Sequence, residues 1–121
     1  MILLELNFAS FPIRFLKFSA LTFNSLGSMT ISEITIDPKQ LNVNADKFEN
    51  LVGDDAKFNA SKIINIFKGE DNDFSKAVCL NAAAGLIVME KYSNFKDSYE
   101  NVRKFILSGK TYEHLKSLQN V

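Results

Sequence analysis

One cysteine, one histidine and five scattered glycines leave this 121-residue chain short of the groups that several common chemistries need. Cys79 stands alone, so it forms no internal disulfide and anchors no thiolate metal cluster. It lies inside the run AVCLNAAAGLIVM, residues 77–89, and reads as a small core residue, which fits a reducing cytoplasm. His114 sits in a lysine-rich tail and reads as a surface residue rather than a general base. The glycines stand at 27, 53, 69, 85 and 109, no two within fifteen residues of each other. That spacing excludes a phosphate-cradling loop of either the P-loop or the dinucleotide-binding kind. Charge of neither sign is in excess: 14 Lys and Arg balance 14 Asp and Glu. A general nucleic-acid binder needs a positive surplus to neutralise phosphates, so no nucleic-acid partner is expected.

What is present is ordinary for a globular protein: 46% apolar and 23% charged residues, at the length of a single domain. Residues 1–26 differ from the rest. They hold five of the eleven phenylalanines and only three charges, Glu5, Arg14 and Lys17. Leu4, Phe8, Phe11, Phe15 and Phe18 recur at three- and four-residue steps, a helical stripe that Pro12 would break or kink. No positive charge precedes the apolar part, so it does not read as a signal peptide. Arg14 and Lys17 interrupt it too early for a membrane span. The segment reads as a Phe-rich, aggregation-prone extension.

Residues 30–36, TISEITI, are dominated by β-branched side chains and predict a strand, which Asp37-Pro38 ends. A short irregular or single-turn stretch follows, through Leu41 and Val43. Four helices follow in turn. The first is capped by Asp54 or Asp55, carries Ala56, Ala60, Ile63, Ile64 and Phe67 on one face, and stops at Gly69. The second, capped by Asn72 or Asp73, runs to about residue 91 and is apolar on nearly every side, which predicts burial all round. The third spans residues 95–107 with Phe95, Tyr99, Val102 and Ile106 on one face, and Ser108-Gly109 stops it. The fourth is short and turns Tyr112, Leu115 and Leu118 to the core.

Three motifs in order carry a resemblance. Val52-Gly53-Asp54 with Asn59-Ala60, then Leu80-Asn81-Ala82-Ala83-Ala84, then Ser108-Gly109-Lys110 resemble the C-terminal end of the anthranilate phosphoribosyltransferases. These are members of the nucleoside phosphorylase and phosphoribosyltransferase family of the glycosyltransferase 3 type. ITIDPKQLNV, residues 34–43, is similar to the strand and Asp-Pro turn before them. The resemblance covers residues 27–121. Val52 stands where the family has a first glycine, and Thr111 where it has an alanine. Residues 1–26 do not resemble the family.

The resemblance implies an α/β parent fold built on a largely parallel sheet. Of that fold this chain would be a mainly α-helical fragment, about four helices with one or two strands. Its apolar faces would be left exposed or covered by the Phe-rich extension. The implied activity of the full enzyme is Mg²⁺-dependent transfer of a phosphoribosyl group from phosphoribosyl pyrophosphate (PRPP) to anthranilate, a cytoplasmic step of tryptophan synthesis. The family's glycine-rich loop, its histidine-containing segments, its anthranilate-contacting arginine and its Asp-Glu metal pair do not occur here. No catalytic, cofactor-binding or metal-binding residue is therefore expected in the chain, and inactivity alone is expected. The implied partner is the missing N-terminal part of the enzyme, or a second copy. Asp54-Asp55 and Asp71 with Asp73 read as helix-start carboxylates, and Lys104, Lys110 and Lys116 as a solvated face. Three residues stand out as structural supports, or as residues that would back the substrate cleft of the full enzyme. Asn59 and Asn81 are amides at motif positions. Asn81 lies in the apolar run, where it is expected to tie a buried helix to its neighbour. Gly85, inside the same helix, is expected to admit a neighbouring backbone. Two other readings share these residues: a non-catalytic helical interaction module, and a fragment of a related pyrimidine nucleoside phosphorylase.

Overall fold

The computed structural model describes residues 4–7, 16–23, 29–43 and 51–119. Three strands, β1 (Leu4–Asn7), β2 (Leu16–Phe23) and β3 (Met29–Ile36), form an antiparallel sheet in the order β1-β2-β3. β3 is the strand expected from TISEITI, begun one residue earlier. It pairs along its whole length with β2, Leu16 opposite Ile36 and Phe18 opposite Ile34. β1 pairs in turn with β2.

Two of these strands fall in residues 1–26, where the phenylalanine spacing suggests a helix. Leu4 and Phe18 lie in strands; Phe8, Phe11, Pro12 and Phe15 lie outside the described residues. β2 is the central strand, paired with β1 over residues 17–20 and with the β-branched β3 along its whole length, so its backbone hydrogen bonds are made across the sheet.

Asp37 ends β3 by a local turn. Its carboxylate accepts the Lys39 amide at 3.0 Å, and its carbonyl accepts the Gln40 amide at 3.0 Å. This sets the single 3-10 turn Pro38–Leu41 and buries Ile36 and Leu41 at its two ends.

Four helices follow: α1 (Ala56–Phe67), α2 (Asp73–Val88), α3 (Phe95–Leu107) and α4 (Lys110–Gln119). Each of the first three starts on a side-chain cap. Asp55 accepts the Phe58 amide at 2.7 Å, Asn72 the Ser75 amide at 2.9 Å, and Asn94 the Asp97 amide at 3.2 Å. Ser75 returns the favour by accepting the Asn72 amide, closing a capping box. The fragment is thus mainly helical with four helices, as the sequence implies, and three strands are described where one or two are expected.

The core gathers Ile36, Leu41, Ile66, Cys79, Ala83, Ala84, Val88, Tyr99 and Ile106. The α2–α3 pair is its centre; α2 also lies against β2, and α3 against the 3-10 turn. The predicted face of α3 is confirmed: Tyr99 and Ile106 are buried, and Phe95 and Val102 pack against the cluster.

Three expected burials are corrected. On α1, Ile66 is buried while Ala56, Ala60 and Ile63 are exposed. On α2, one face is open: Val78, Asn81, Ala82 and Met89 are exposed. On α4, Tyr112 and Leu115 are half-buried and Leu118 is exposed. The reason is geometric. One neighbouring helix covers about one stripe of a helix, so an all-apolar helix needs several neighbours to disappear from water. Among the described residues, no helix is long and apolar enough to cross a membrane.

Candidate functional site

The first motif folds into a clasp. The Asn59 Oδ1 accepts the Asp54 amide at 3.1 Å, and its Nδ2 donates to the Asp54 carbonyl at 2.9 Å. One side-chain amide thus completes both backbone groups of Asp54 as the chain enters α1. The clasp also explains the glycine. A Cβ on residue 53 would lie 2.7 Å from the Asn59 Oδ1. Gly53, Asp54 and Asn59 are one local device, and it is solvent-exposed. The neighbouring Asp55 carboxylate serves the α1 cap.

The second motif is placed differently from expectation. Asn81 is exposed, and its Nδ2 donates to the Ala77 carbonyl of its own helix at 2.9 Å. It does not tie α2 to a neighbour in this structure. That task falls to Ser98, fully buried on α3, whose Oγ donates to the Ala83 carbonyl at 3.0 Å. Sequence reasoning missed Ser98. Its signal was available: a small hydroxyl at the i+3 position of the stripe that starts at Phe95, opposite a run of alanines.

Gly85 is corrected too. A Cβ there would meet nothing within 4 Å among the described residues. The close approach occurs at Gly69 instead. There the backbone has φ +97°, and a Cβ would come within 2.6 Å of the Leu107 carbonyl oxygen. Gly69 thereby seats the end of α1 against the end of α3.

The third motif joins α3 to α4. Ser108 donates its hydroxyl to the Phe105 carbonyl at 2.6 Å, and Gly109 takes φ +76°. Beyond it, the Lys68 and Lys116 ammonium groups lie 5.0 and 5.1 Å from the Tyr112 ring centre. The carbonyl of the exposed His114 accepts the Ser117 hydroxyl.

One charged pair links two elements at the surface. Arg103 on α3 binds Asp71, in the turn between α1 and α2, through a salt bridge. Asp71 is therefore an ion-pair partner rather than a cap; Asp73, in the first turn of α2, pairs with Lys76. Beside the Arg103 pair are Cys79 and Tyr99, both buried. Burial pushes the Cys79 thiol up, against an opposing pull from Arg103 and with a smaller push from Asp71. Burial likewise raises the Tyr99 phenol, and Arg103 again opposes. An activated nucleophile needs the reverse, a depressed pKa. The Tyr99 hydroxyl also has no hydrogen-bond partner among the described residues. Among those residues, no three His, Cys, Asp or Glu side chains gather to hold a metal ion. The Arg103–Asp71 pair joins α3 to the turn before α2.

Comparison with known proteins matches residues 19–112 to the model of the glycosyl transferase family, a/b domain. The match begins inside residues 1–26 and includes most of β2. The chain is 71% identical over 91 residues to an anthranilate phosphoribosyltransferase of Pelagibacter ubique (strain HTCC1062), covering 75% of this chain and 28% of the relative. It is 35% identical over 71 residues to the enzyme of that name from Streptococcus mutans, covering 59% and 21%. For the one from Dictyoglomus turgidum it is 31% identical over 98 residues, covering 80% and 29%. The chain thus spans less than a third of the length of these curated relatives. With the family match running from within β2 through β3 and the first three helices to the start of α4, this chain belongs to the glycosyl transferase family, a/b domain.

Proposed function

We propose that this chain is a structural segment of an anthranilate phosphoribosyltransferase, supplying the helices of its a/b domain rather than its reacting groups. The observation that carries the reading is 71% identity over 91 residues to a relative of that name. The geometry supports the structural role. The motif residues are spent on a clasp at Asn59, a helix junction at Ser108-Gly109, and an α2 surface packed on α3. The activity of the whole protein is phosphoribosyl transfer from PRPP to anthranilate in tryptophan synthesis, in the cytoplasm. Mg²⁺ belongs to that reaction, but the carboxylates described here do not fit a metal site. No step through the metal is assigned to these residues.

The test is fluorescence. Anthranilate, PRPP and Mg²⁺ are incubated with the purified chain, and anthranilate emission is followed. No loss above the enzyme-free control is expected. Protein-dependent loss that needs both PRPP and Mg²⁺ would overturn the inactive-alone reading.

A further inference from the structure

The open face of α2 is apolar along most of its length. Val78, Ala82, Gly85 and Met89 follow one another at steps of four, three and four residues, which places them on a single stripe. Val78 is 39% and Met89 58% exposed. Between these two larger side chains, Ala82 is exposed and Gly85 has open space around its missing Cβ. The charged residues of α2, Asp73 and Lys76, both lie near its start, so the last three turns meet water without one charge. By contrast, the exposed residues of α3 include Lys96, Asp97, Glu100 and Lys104. The filled side of α2 uses the same design. Ala83 and Ala84 are small enough to let α3 approach, close enough for Ser98 to reach the Ala83 carbonyl. The open side repeats small residues between larger apolar ones, with no neighbour against it among the described residues.

We propose that this stripe docks the part of the glycosyl transferase chain that the relatives carry beyond the matched segment, through an apolar helix or strand laid across Ala82 and Gly85. The inference rests on the proposed function and adds the surface that performs it. What points to this occupant is length: the matched segment is only 28% of the Pelagibacter ubique relative, so most of that protein lies outside it. The exposed Ala56, Ala60 and Ile63 of α1 form a second apolar stripe, which such a partner could also cover.

The test co-expresses the full chain with the Pelagibacter ubique relative from which the matched 91 residues have been deleted. The two are expected to co-elute in size-exclusion chromatography. Ala82→Arg and Gly85→Leu, each made alone, should weaken co-elution about tenfold or more, a loss of about 1.4 kcal/mol, with the chain's far-UV circular dichroism unchanged. Asn101→Arg, on the exposed side of α3, should leave the complex intact. A complex indifferent to both α2 substitutions would overturn the docking site while leaving the proposed function standing. Self-association of the chain, abolished by Ala82→Arg and with no heterocomplex formed, would assign the stripe to a second copy and overturn the proposal. Absence of both complexes would remove the docking site and the proposed function together.

Discussion

The Ser98 hydroxyl reaches across the α2–α3 interface to the Ala83 carbonyl at 3.0 Å, with Ser98 and Ala83 both fully buried. A side-chain donor can reach a helix backbone only where the facing residue is small. The pair therefore joins two requirements, a hydroxyl on one helix and an alanine on the other. Ser98→Ala should cost about 1–2 kcal/mol, the usual loss for a buried hydrogen bond. Ala83→Leu should cost about 1–3 kcal/mol by forcing the helices apart. Urea melts followed by circular dichroism would measure both. An Ala83→Leu protein as stable as the native one would show that the interface is loose.

Two helix ends provide a matched comparison. After α1, the Gly69 amide donates to Ile66 and the Glu70 amide to Asn65; after α2, the Glu90 amide donates to Ile87 and the Lys91 amide to Leu86. Both are the Schellman arrangement, which places the residue after the cap in the left-handed region. Gly69 takes φ +97° and Glu90 φ +57°. A side chain there costs about 1–2 kcal/mol, so Glu90→Gly should stabilise the chain, by about 0.5–1 kcal/mol after the glycine's added unfolded-state entropy. Gly69→Ala should destabilise it by more than about 1 kcal/mol, since the new Cβ also meets the Leu107 carbonyl at 2.6 Å. Opposite shifts in the thermal midpoint would support the account; equal shifts would refute it.

The two motif asparagines also separate. Asn59 satisfies two backbone groups of a turn, and Asn59→Ala should fray the start of α1, at a cost of about 1 kcal/mol. Asn81 bonds only to its own helix and faces water, so Asn81→Ala should be neutral or gain a few tenths of a kcal/mol from helix propensity. Hydrogen exchange at the Asp54 and Phe58 amides would report the first effect, and the thermal midpoint the second.

That contrast marks how far local pattern reaches. The caps at Asp55 and Asn72, the stops at Gly69 and Gly109, the strand ending at Asp37 and the buried stripe of α3 are short-range chemistry, and each is readable from a few neighbouring residues. The placement of Asn81 and Gly85 was not. Residues 77–89 are apolar in every direction, so their periodicity carries no information about which side α3 covers. The α1 stripe was readable as apolar, but its burial depends on a neighbour, and none of the described residues covers Ala56, Ala60 and Ile63. β2 was hidden because Phe18 ends a stripe, begun at Leu4, whose spacing imitates a helix, while its partner β3 pairs with it from outside residues 1–26.

The buried Cys79 and Tyr99 make stability sensitive to alkali. Both pKa values are raised by burial above the usual 9.0 and 10.0. The unfolded chain therefore releases these protons at lower pH than the folded one. Stability from this source is intact below about pH 9 and is lost as pH climbs from there toward the folded values, by up to about 1.4 kcal/mol per unit for each group. Tyr99→Phe should be close to neutral at pH 7, since its hydroxyl has no partner among the described residues to lose. It should also flatten the decline above pH 10, and Cys79→Ala, although it leaves a small cavity, should flatten the decline that begins near pH 9. Urea midpoints between pH 7 and 11 would read out both slopes. If the native chain and the Tyr99→Phe protein lost stability in parallel above pH 10, the alkaline sensitivity would have another origin.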